Sequence, residues 1–314
     1  MGAIEPPARV KRDLDGLMLL DKPSGMSSNQ ALQRVKWLLR ANKAGHTGTL
    51  DPLATGLLPI CFGEATKFSR FQLEADKRYR VVGKFGEVSD TADCEGEIVS
   101  TGVSVDLDAQ TIEQGLTRFR GQIEQFPPRY SAIKVQGRRL CDYARDGIEV
   151  EIKSRTVNVS QFDLIEDIEA AQTADGSGDV FSFLISCSKG TYVRSLIADL
   201  GEALGCGAHV VELVRLASGG FKLEQALSIN EFEQMAESDE LLAEKLLPTD
   251  LLVNGLPQTL VSEAEASQLN MGQSVKGMQG KAAGMVGLFL DKKFLGVGEH
   301  LQGVLYPRRL LRQR

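Results

Sequence analysis

The sequence predicts a mixed fold of helices and strands over residues 1–250, followed by a shorter segment built from strands. Two stretches, residues 17–39 and 180–204, each read as a strand, a turn and a helix. After residue 256, short apolar runs separated by glycines are typical of small strands. We therefore expect a large domain and a small one, with the boundary near residues 248–256.

The first of these units begins with apolar residues 17–20, which stop at an Asp-Lys-Pro turn. A serine in a capping position follows this turn. Apolar residues that then recur at intervals of three and four predict a helix. Those residues are Ala31, Leu32, Val35, Leu38 and Leu39. Farther along, alternation over residues 77–86 indicates a half-buried strand, and residues 108–121 predict a capped helix.

The second unit predicts a strand over residues 180–187, a turn over 188–190 and a helix over 191–204. The expected buried stripe of the helix consists of Val193, Leu196, Ile197, Leu200 and Leu204. Gly205 fits the left-handed position that follows many helices. Tyr192 and Arg194 fall in the first helical turn, where the helix dipole favours an anion.

Composition indicates an ordinary globular protein, with 42% hydrophobic and 25% charged residues. No apolar run approaches the ~18–20 residues that a membrane-spanning helix needs, and the N-terminal residues lack the apolar centre of a secretory signal. A cytoplasmic location is therefore expected. The five cysteines are scattered singly and only three histidines occur, so we expect neither a disulfide framework nor a bound metal.

The net charge of −6 argues against a nucleic-acid partner, but the charges are segregated along the chain. Residues 165–179 hold five acids and no base, and the helical tract 228–247 is also acidic. Residues 129–155 hold seven Lys or Arg against four acids, and the chain ends in "YPRRLLRQR". A basic face on an acidic protein is one interpretation, and solvated surface charge is the other.

Several common catalytic motifs are absent from the sequence. It contains neither the G-x-S-x-G nucleophile elbow nor the G-x-x-x-x-G-K-[ST] phosphate loop. "GVGEHL" at residues 296–301 lacks the third glycine of a dinucleotide fingerprint. Catalysis by this chain would therefore depend on Asp, Tyr, Arg, Lys or His side chains.

The stretch "AGHTGTLDPLATGLLPI" draws attention to Asp51, which directly precedes a proline at the edge of an apolar run. Pro52 favours an extended conformation of Asp51, and the apolar run could pack beneath the loop. Burial would raise the pKa of such a carboxyl group, whereas a nearby guanidinium would keep it ionised. An ionised carboxylate sheltered from water can act as a nucleophile or base. The alternative is an ordinary Asp-Pro turn.

Six stretches of the sequence together carry a family resemblance. They are "LLDKPSGMSS", "AGHTGTLDPLATGLLPICFGEATKF", "DKRYRV", "PPRYSAIKVQGRRLCDYAR", "SKGTYVRSLIADLGEALGCGAHVVELVRL" and "YPRRLL". In this order they closely resemble the bacterial TruB family of tRNA pseudouridine-55 synthases. The match is strong from about residue 14 to about residue 220 and weaker from there to the end.

The resemblance implies a pseudouridine synthase fold, which is an α+β domain on a mixed, largely antiparallel sheet. This catalytic domain would span residues 1–250, and a small β domain of the PUA type would span residues 251–314. It also implies a reaction in which the uridine at position 55 of the tRNA T-loop becomes its C-glycoside, without cofactor or metal. No obligate protein partner is implied, and a monomer is expected.

The resemblance also implies roles for individual residues. Asp51 matches the catalytic aspartate, Arg194 the arginine paired with it, and Tyr79 the tyrosine that stacks on the target base. His46 matches a histidine that enters the T-loop as the base leaves. The other matching positions are Tyr192 and Leu213 in the substrate pocket, Lys22 and Pro23 in a support motif, and Asp93 in a motif linked to binding flipped-out nucleotides.

Contacts with the RNA backbone are expected from two basic stretches. Residues 124–155 resemble an insertion that closes over the RNA in this family, and the terminal "YPRRLL" belongs to the small domain. The candidate side chains are Arg129, Lys134, Arg138, Arg139, Arg145, Arg308 and Arg309. Plain surface charge remains the alternative for these residues.

Two other functions compete with the synthase. An RNA-folding chaperone would need the pocket but not the carboxylate of Asp51, and a tRNA chaperone activity could also accompany catalysis. An aspartate-dependent hydrolase would require a metal. Asp51→Asn separates the first alternative from catalysis, and activity in excess chelator would eliminate the second.

Overall fold

The computed structural model describes residues 10–166, 180–277 and 282–312. Most of the acid-rich stretch noted in the sequence, residues 167–179, lies outside the described residues. The described part contains no helix that is both long enough and apolar enough to cross a membrane.

The strands are most simply given in chain order. They are β1 (Gly16–Lys22), β2 (Ala44–His46), β3 (Thr55–Phe62), β4 (Lys77–Phe85), β5 (Glu87–Ser89), β6 (Ile98–Ser100), β7 (Gly121–Gln125), β8 (Lys134–Val135), β9 (Arg138–Arg139), β10 (Arg155–Ile165), β11 (Val180–Cys187), β12 (Ala208–Ser218), β13 (Phe221–Lys222), β14 (Gln258–Leu260), β15 (Val275–Lys276), β16 (Gly284–Leu290), β17 (Lys293–Leu301) and β18 (Val304–Leu310).

The helices flank these strands. The α-helices are α1 (Ser28–Leu38), α2 (Ser69–Leu73), α3 (Ala109–Leu116), α4 (Leu140–Arg145), α5 (Val193–Ala203), α6 (Ile229–Met235), α7 (Asp239–Lys245) and α8 (Glu263–Asn270). Short 3₁₀ helices cover Gly63–Phe68, Thr117–Phe119, Leu223–Gln225 and Thr249–Val253.

The larger sheet has nine strands in the order β1-β3-β12-β4-β11-β10-β7, with β2 beside β3 and β13 beside β12. Its neighbours are antiparallel except β3 and β12, which run parallel. The sheet is therefore mixed and largely antiparallel, and helices pack around it. This confirms the α+β class. β5 with β6 and β8 with β9 form two small hairpins.

The C-terminal sheet has five strands in the order β14-β16-β17-β18-β15. It packs on the larger sheet through a common apolar cluster, in which the rings of Phe68 and Phe294 lie 5.4 Å apart in an edge-on arrangement. Lys67 Nζ also donates a hydrogen bond of 3.1 Å to the carbonyl oxygen of Leu310. The two sheets therefore share buried apolar area, which favours a fixed relative position.

The local sequence explains where several helices begin. Ser27 caps α1 through a capping box with Gln30, and Asp108 caps α3 by accepting from the backbone N–H of Thr111. β11 has the expected bounds, and α5 begins at Val193, two residues later than expected. Gly205 follows it with a φ of +80°, the left-handed conformation that glycine accommodates easily.

The structure differs from the sequence-based expectations in two helical regions. The acidic tract 228–247 is not one helix but two, α6 and α7, because a turn with Ser238 as a new cap separates them. Residues 257–277 are not purely strands, since α8 lies among them. Ser262 and Glu265 form its capping box, a signal that the Gly-punctuated pattern concealed.

Candidate active site

A cavity of about 380 Å³ lies over the larger sheet, where β4, β12 and the beginning of α5 meet the loop between β2 and β3. Five of the candidate site residues line it: Asp51, Tyr79, Tyr192, Arg194 and Leu213. Ser131, Ala132 and Ile133 complete one wall. The fold thus gathers into one site residues that are as much as 162 positions apart in the sequence, from Asp51 to Leu213.

The loop that carries Asp51 is held from below by the turn between β1 and α1. Ser28 Oγ accepts a hydrogen bond of 2.7 Å from the backbone N–H of Leu50 and donates one of 3.0 Å to its carbonyl oxygen. The backbone N–H of Gly25 donates to the carbonyl oxygen of Pro52 at 2.9 Å. These contacts fix the backbone on both sides of Asp51.

Lys22 is fully buried beneath the same loop and does not line the cavity. Its ammonium group donates to the carbonyl oxygens of Pro23 at 2.8 Å, Met26 at 2.6 Å and Pro52 at 3.3 Å. Burial lowers the pKa of Lys22 to about 8, while the nearby carboxylates of Glu95 and Asp51 oppose that shift. Lys22 and Pro23 therefore support the loop from outside the cavity.

Arg194 connects two carboxylates in the wall of the cavity. Its Nε lies 2.9 Å from Oδ2 of Asp51, and its Nη1 lies 2.9 Å from Oδ2 of Asp93. The guanidinium also donates to the carbonyl oxygens of Thr91 at 2.8 Å and Tyr130 at 3.0 Å. Its side chain is only 5% exposed, so the ion pairs compensate the cost of burying its charge.

The carboxyl group of Asp51 keeps a pKa above its ordinary value. Burial is the largest cause, the neighbouring Asp93 adds to it, and Arg194 and Lys22 act in the opposite direction. Its side chain is 36% exposed and lines the cavity, whereas that of Asp93 is 3% exposed and lies behind Arg194. A partly shielded carboxylate beside a cation is suited to act as a nucleophile or general base.

An aromatic ring and an aliphatic side chain face the cavity from neighbouring strands. Tyr79 on β4 lies opposite Arg215 on β12, and Leu213 lies opposite Val81. Residues two apart on a strand share a face, so Tyr79 and Leu213 lie on the same side of the sheet. Burial raises the pKa of the Tyr79 hydroxyl, and Arg215 opposes the shift.

Two cationic side chains at this site were not singled out in the sequence. Arg215 is 1% exposed, and Lys77 is buried with its ammonium group donating to the carbonyl oxygens of Gln72 and Leu73. Burial lowers the pKa of Lys77 to about 8, and the charge of Arg215 contributes. Both residues lie in strands within stretches that carry the family resemblance, but it is the cross-strand register that places them at the site.

Tyr192 and His46 occupy different positions relative to the cavity. Tyr192 lines it and is anchored by Gln125, which accepts from its N–H at 2.8 Å and donates to its carbonyl oxygen at 3.0 Å. His46 is half-buried at the end of β2 and is not part of the lining. Burial lowers the pKa of His46, and the nearby charge of Arg215 contributes.

Many of the basic residues expected on the RNA-binding surface already have acidic partners. Arg129 pairs with Glu149 at 3.1 Å, Arg139 with Asp142 at 2.8 Å and Arg308 with Glu299 at 2.5 Å. Arg138 also pairs with Asp146. Lys134, Arg145 and Arg309 are exposed, and none of the described residues forms an ion pair with them.

A cluster suited to a metal ion does not occur in the part of the chain that the structure describes. Within residues 10–166, 180–277 and 282–312, no three or more His, Cys, Asp or Glu side chains lie together as ligands would.

Three family models match successive parts of the chain. The N-terminal domain of TruB family pseudouridylate synthases matches residues 36–193, the C-terminal domain of tRNA pseudouridylate synthase B matches residues 194–254, and the C-terminal model of pseudouridine synthase II TruB matches residues 257–311.

Curated relatives match over nearly the whole chain. The tRNA pseudouridine synthase B of Dechloromonas aromatica is 45% identical over 307 residues, which are 96% of this chain and 97% of the relative. The enzyme of the same name from Pasteurella multocida is 46% identical over 314 residues and 98% of both chains.

Solved structures agree with the fold. A Cbf5–Nop10–Gar1 complex contains a chain that is 27% identical, with a TM-score of 0.67 over 90% of this chain and 78% of that one. An H/ACA ribonucleoprotein bound to a substrate RNA contains one that is 23% identical, with a TM-score of 0.71 over 95% and 86%. The pseudouridine synthase fold and the C-terminal sheet of the PUA-like type are thereby confirmed. The chain belongs to the TruB family of pseudouridylate synthases.

Proposed function

We propose that this enzyme isomerises the uridine at position 55 in the T-loop of tRNA to pseudouridine, with Asp51 as the catalytic carboxylate. The observation that carries the proposal is the position of Asp51, which contacts the buried Arg194 and faces the same cavity as Tyr79. Curated relatives named as tRNA pseudouridine synthases support tRNA as the substrate class.

In this proposal the target uridine leaves the stacked loop and enters the cavity. Extrusion of a base costs a few kcal/mol, and stacking on an aromatic ring returns about 1–3 kcal/mol. Tyr79 supplies that ring, Leu213 packs on the base, and Tyr192 shapes the pocket. His46 fills the vacancy in the T-loop, which agrees with its place outside the cavity lining.

The chemistry then depends on an ionised Asp51. Arg194 stabilises the carboxylate, and the surrounding protein shields it from water, which makes it more reactive than an exposed aspartate. Attack at C6 of the base and attack at C1′ of the ribose both begin from this ionised form. Asp93 acts through Arg194, because its carboxylate lies behind the guanidinium and outside the lining.

The remaining residues divide between support and RNA binding. Residues 1–250 form the catalytic domain, with residues 124–155 as an RNA-binding insertion, and residues 251–314 form the PUA-like domain. Exposed Lys and Arg side chains in both parts contact phosphates of the T-arm. The proposal includes the cytoplasmic location and the monomeric state that the sequence predicts.

Asp51→Asn tests the proposal, because it removes the charge and keeps the shape of the side chain. Wild-type enzyme incubated with an unmodified T-arm stem-loop should form pseudouridine at position 55. The variant should bind the RNA with unchanged Kd and turn over at least about 10³-fold more slowly. Asp106→Asn, at an exposed aspartate between β6 and α3, is the matched control and should retain full activity.

Two outcomes would contradict the proposal. Retained turnover in Asp51→Asn would remove this residue from the reaction. Wild-type enzyme that refolds a misfolded tRNA but forms no pseudouridine would favour the chaperone function.

A further inference from the structure

Two buried guanidinium groups lie at the cavity, and their surroundings differ. Arg194 contacts the carboxylates of Asp51 and Asp93, as described above. Arg215 is 1% exposed, yet no carboxylate among the described residues lies within 4.0 Å of its guanidinium. Within the part of the chain that the structure describes, its buried charge therefore has no ionic partner.

The contacts of Arg215 are with neutral groups that shape the site. Its Nε donates to the carbonyl oxygen of Leu57 on β3 at 2.7 Å, and its Nη2 donates to that of Gly48 at 3.2 Å. Tyr79 is its cross-strand neighbour on β4, and the charge of Arg215 opposes the rise that burial causes in the pKa of the Tyr79 hydroxyl. One side chain thus connects the loop of Asp51 to β3, at a position opposite the proposed stacking tyrosine.

The backbone is arranged to admit Arg215 at this junction. Its backbone pairs with Gly56 in the parallel ladder between β3 and β12. A Cβ atom at Gly56 would lie 2.5 Å from the carbonyl oxygen of Arg215, and the φ of Gly56 is +94°, a conformation that other residues rarely adopt. Glycine is therefore required at position 56 for Arg215 to occupy its position.

A buried cation without a partner is costly, since its desolvation is not offset by an ion pair. An apolar side chain of similar length would fill the space at lower cost. Its field also contributes to the lowered pKa values of Lys22, Lys77 and His46, each of which is shifted mainly by burial. The positive charge of Arg215 thus acts on several groups around the site.

We propose that Arg215 is a positioning residue for the isomerisation, which holds the backbone of Gly48 and Leu57 beside the cavity and directs its positive charge at the uracil ring. The inference rests on the proposed function above. Both routes of attack place negative charge on the base. Addition of the carboxylate at C6 breaks the C5=C6 π bond and moves its electron pair onto O4. Cleavage of the C1′–N1 bond leaves its pair on N1, delocalised onto O2 and O4.

In neither route is an oxidant, a reductant or a further reactant needed, and Arg215 remains protonated throughout. Its charge stabilises the negatively charged form of the base, which arises only during the reaction and is absent from the bound substrate. Removal of one such electrostatic interaction typically slows an enzyme by about 10²–10³-fold. A residue that merely fills space would affect stability and not this step.

The test compares Arg215→Met and Arg215→Lys with Arg80→Met. Arg80 is the matched control, because it lies on β4 beside Tyr79 but pairs with Glu212 and does not line the cavity. Single-turnover rates and Kd are measured on a T-arm stem-loop, and folding is followed by urea denaturation. We expect Arg215→Met to lose about 10²-fold in rate with unchanged Kd. Arg215→Lys should recover part of that loss and Arg80→Met should lose little.

A second substrate separates a charge effect from a structural one. 5-Fluorouridine at position 55 stabilises negative charge on the ring by itself, so Arg215→Met should slow consumption of this nucleoside less than consumption of uridine. Equal losses on both substrates, or a wild-type rate in Arg215→Met, would overturn the inference. If Arg215→Met does not fold, the rates of Arg215→Lys on the uridine and 5-fluorouridine substrates are compared in its place. Wild-type enzyme that modifies neither RNA would instead contradict the proposed function itself.

Discussion

The loop of Asp51 and the turn of Asp93 present two carboxylates to the same guanidinium, at the same distance of 2.9 Å, yet in different surroundings. Asp93 also accepts from Thr91 Oγ1 at 2.6 Å and from the backbone N–H of Glu95 at 3.1 Å. Asp51 has an open face toward the cavity. Asp93 thus accepts from three donors and is 3% exposed, whereas Asp51 faces the cavity with a side chain that is 36% exposed.

This difference separates a structural role from a chemical one. A carboxylate that accepts several hydrogen bonds and is buried behind a guanidinium stabilises the fold but cannot reach a substrate in the cavity. The turn around Asp93 is also tied to the larger sheet, because the backbone N–H of Cys94 donates to the carbonyl oxygen of Val210. Asp93 therefore fixes Arg194, and Arg194 in turn fixes Asp51, the proposed catalytic carboxylate.

The largest effect should appear in stability. Asp93→Ala should lower the free energy of unfolding by about 3 kcal/mol, because it leaves several buried donors without an acceptor. Asp51→Ala should cost less than about 1 kcal/mol, since that side chain is one-third exposed and its carboxyl group is unfavourably desolvated. Urea denaturation of the two variants checks the comparison. Equal losses would mean that both carboxylates have a structural role.

The pH dependence of turnover should shift in opposite directions when the two neighbours of Asp51 are changed. Burial raises the pKa of Asp51, Arg194 lowers it and Asp93 raises it. In the proposed mechanism only the ionised carboxylate is active, so activity should fall as the pH falls through this pKa. Arg194→Met should therefore move the acid limb to higher pH, in addition to slowing the reaction. Asp93→Asn should move it to lower pH.

Single-turnover rates between pH 4 and pH 8 on the T-arm stem-loop would measure both shifts, with Asp106→Asn as the control. Shifts of the same sign in the two variants would show that electrostatic coupling through Arg194 does not govern Asp51.

Local patterns in the sequence predicted the elements that local interactions determine. The cap at Ser27, the strand β11 and the stripe of α5 depend on neighbours within a few residues, and the structure has them close to where they were expected. Leu204 is only partly buried, because the helix has already ended at Ala203. The missed helix α8 had a local signal as well, the Ser-x-x-Glu capping box at Ser262.

The candidate site depends on contacts that no local pattern contains. The residue spacing around Asp51 was compatible both with an ordinary turn and with a catalytic carboxylate. Its pairing with Arg194 was predicted only by the family resemblance. Arg215 and Lys77 were missed because a charged residue in a strand usually faces water. Their burial follows from the register of β4 with β12 and β11, which joins residues more than 100 positions apart.

The smallest effects should come from the exposed basic residues, and α4 offers a matched pair. Arg139, at the N-terminal end of α4, is bound to Asp142 at 2.8 Å. Arg145, at the other end, is exposed and has no ion pair among the described residues. An arginine that must leave an acidic partner to reach a phosphate contributes less to RNA affinity. Arg145→Ala should therefore weaken binding more than Arg139→Ala.

The salt dependence of Kd measures the difference, because an arginine that neutralises one phosphate adds about 0.7–0.9 to the slope of log K against log salt. Arg145→Ala should remove most of that increment, Arg139→Ala little, and the control Lys245→Ala on the acidic helix α7 none. Asp142→Ala should have the opposite effect on Kd, because it frees Arg139 and should strengthen RNA binding at low salt. Equal slopes for Arg139→Ala and Arg145→Ala would mean that the ion pair with Asp142 opens freely in the RNA complex. In that case a surface ion pair, unlike the one at Asp51, would place no constraint on function.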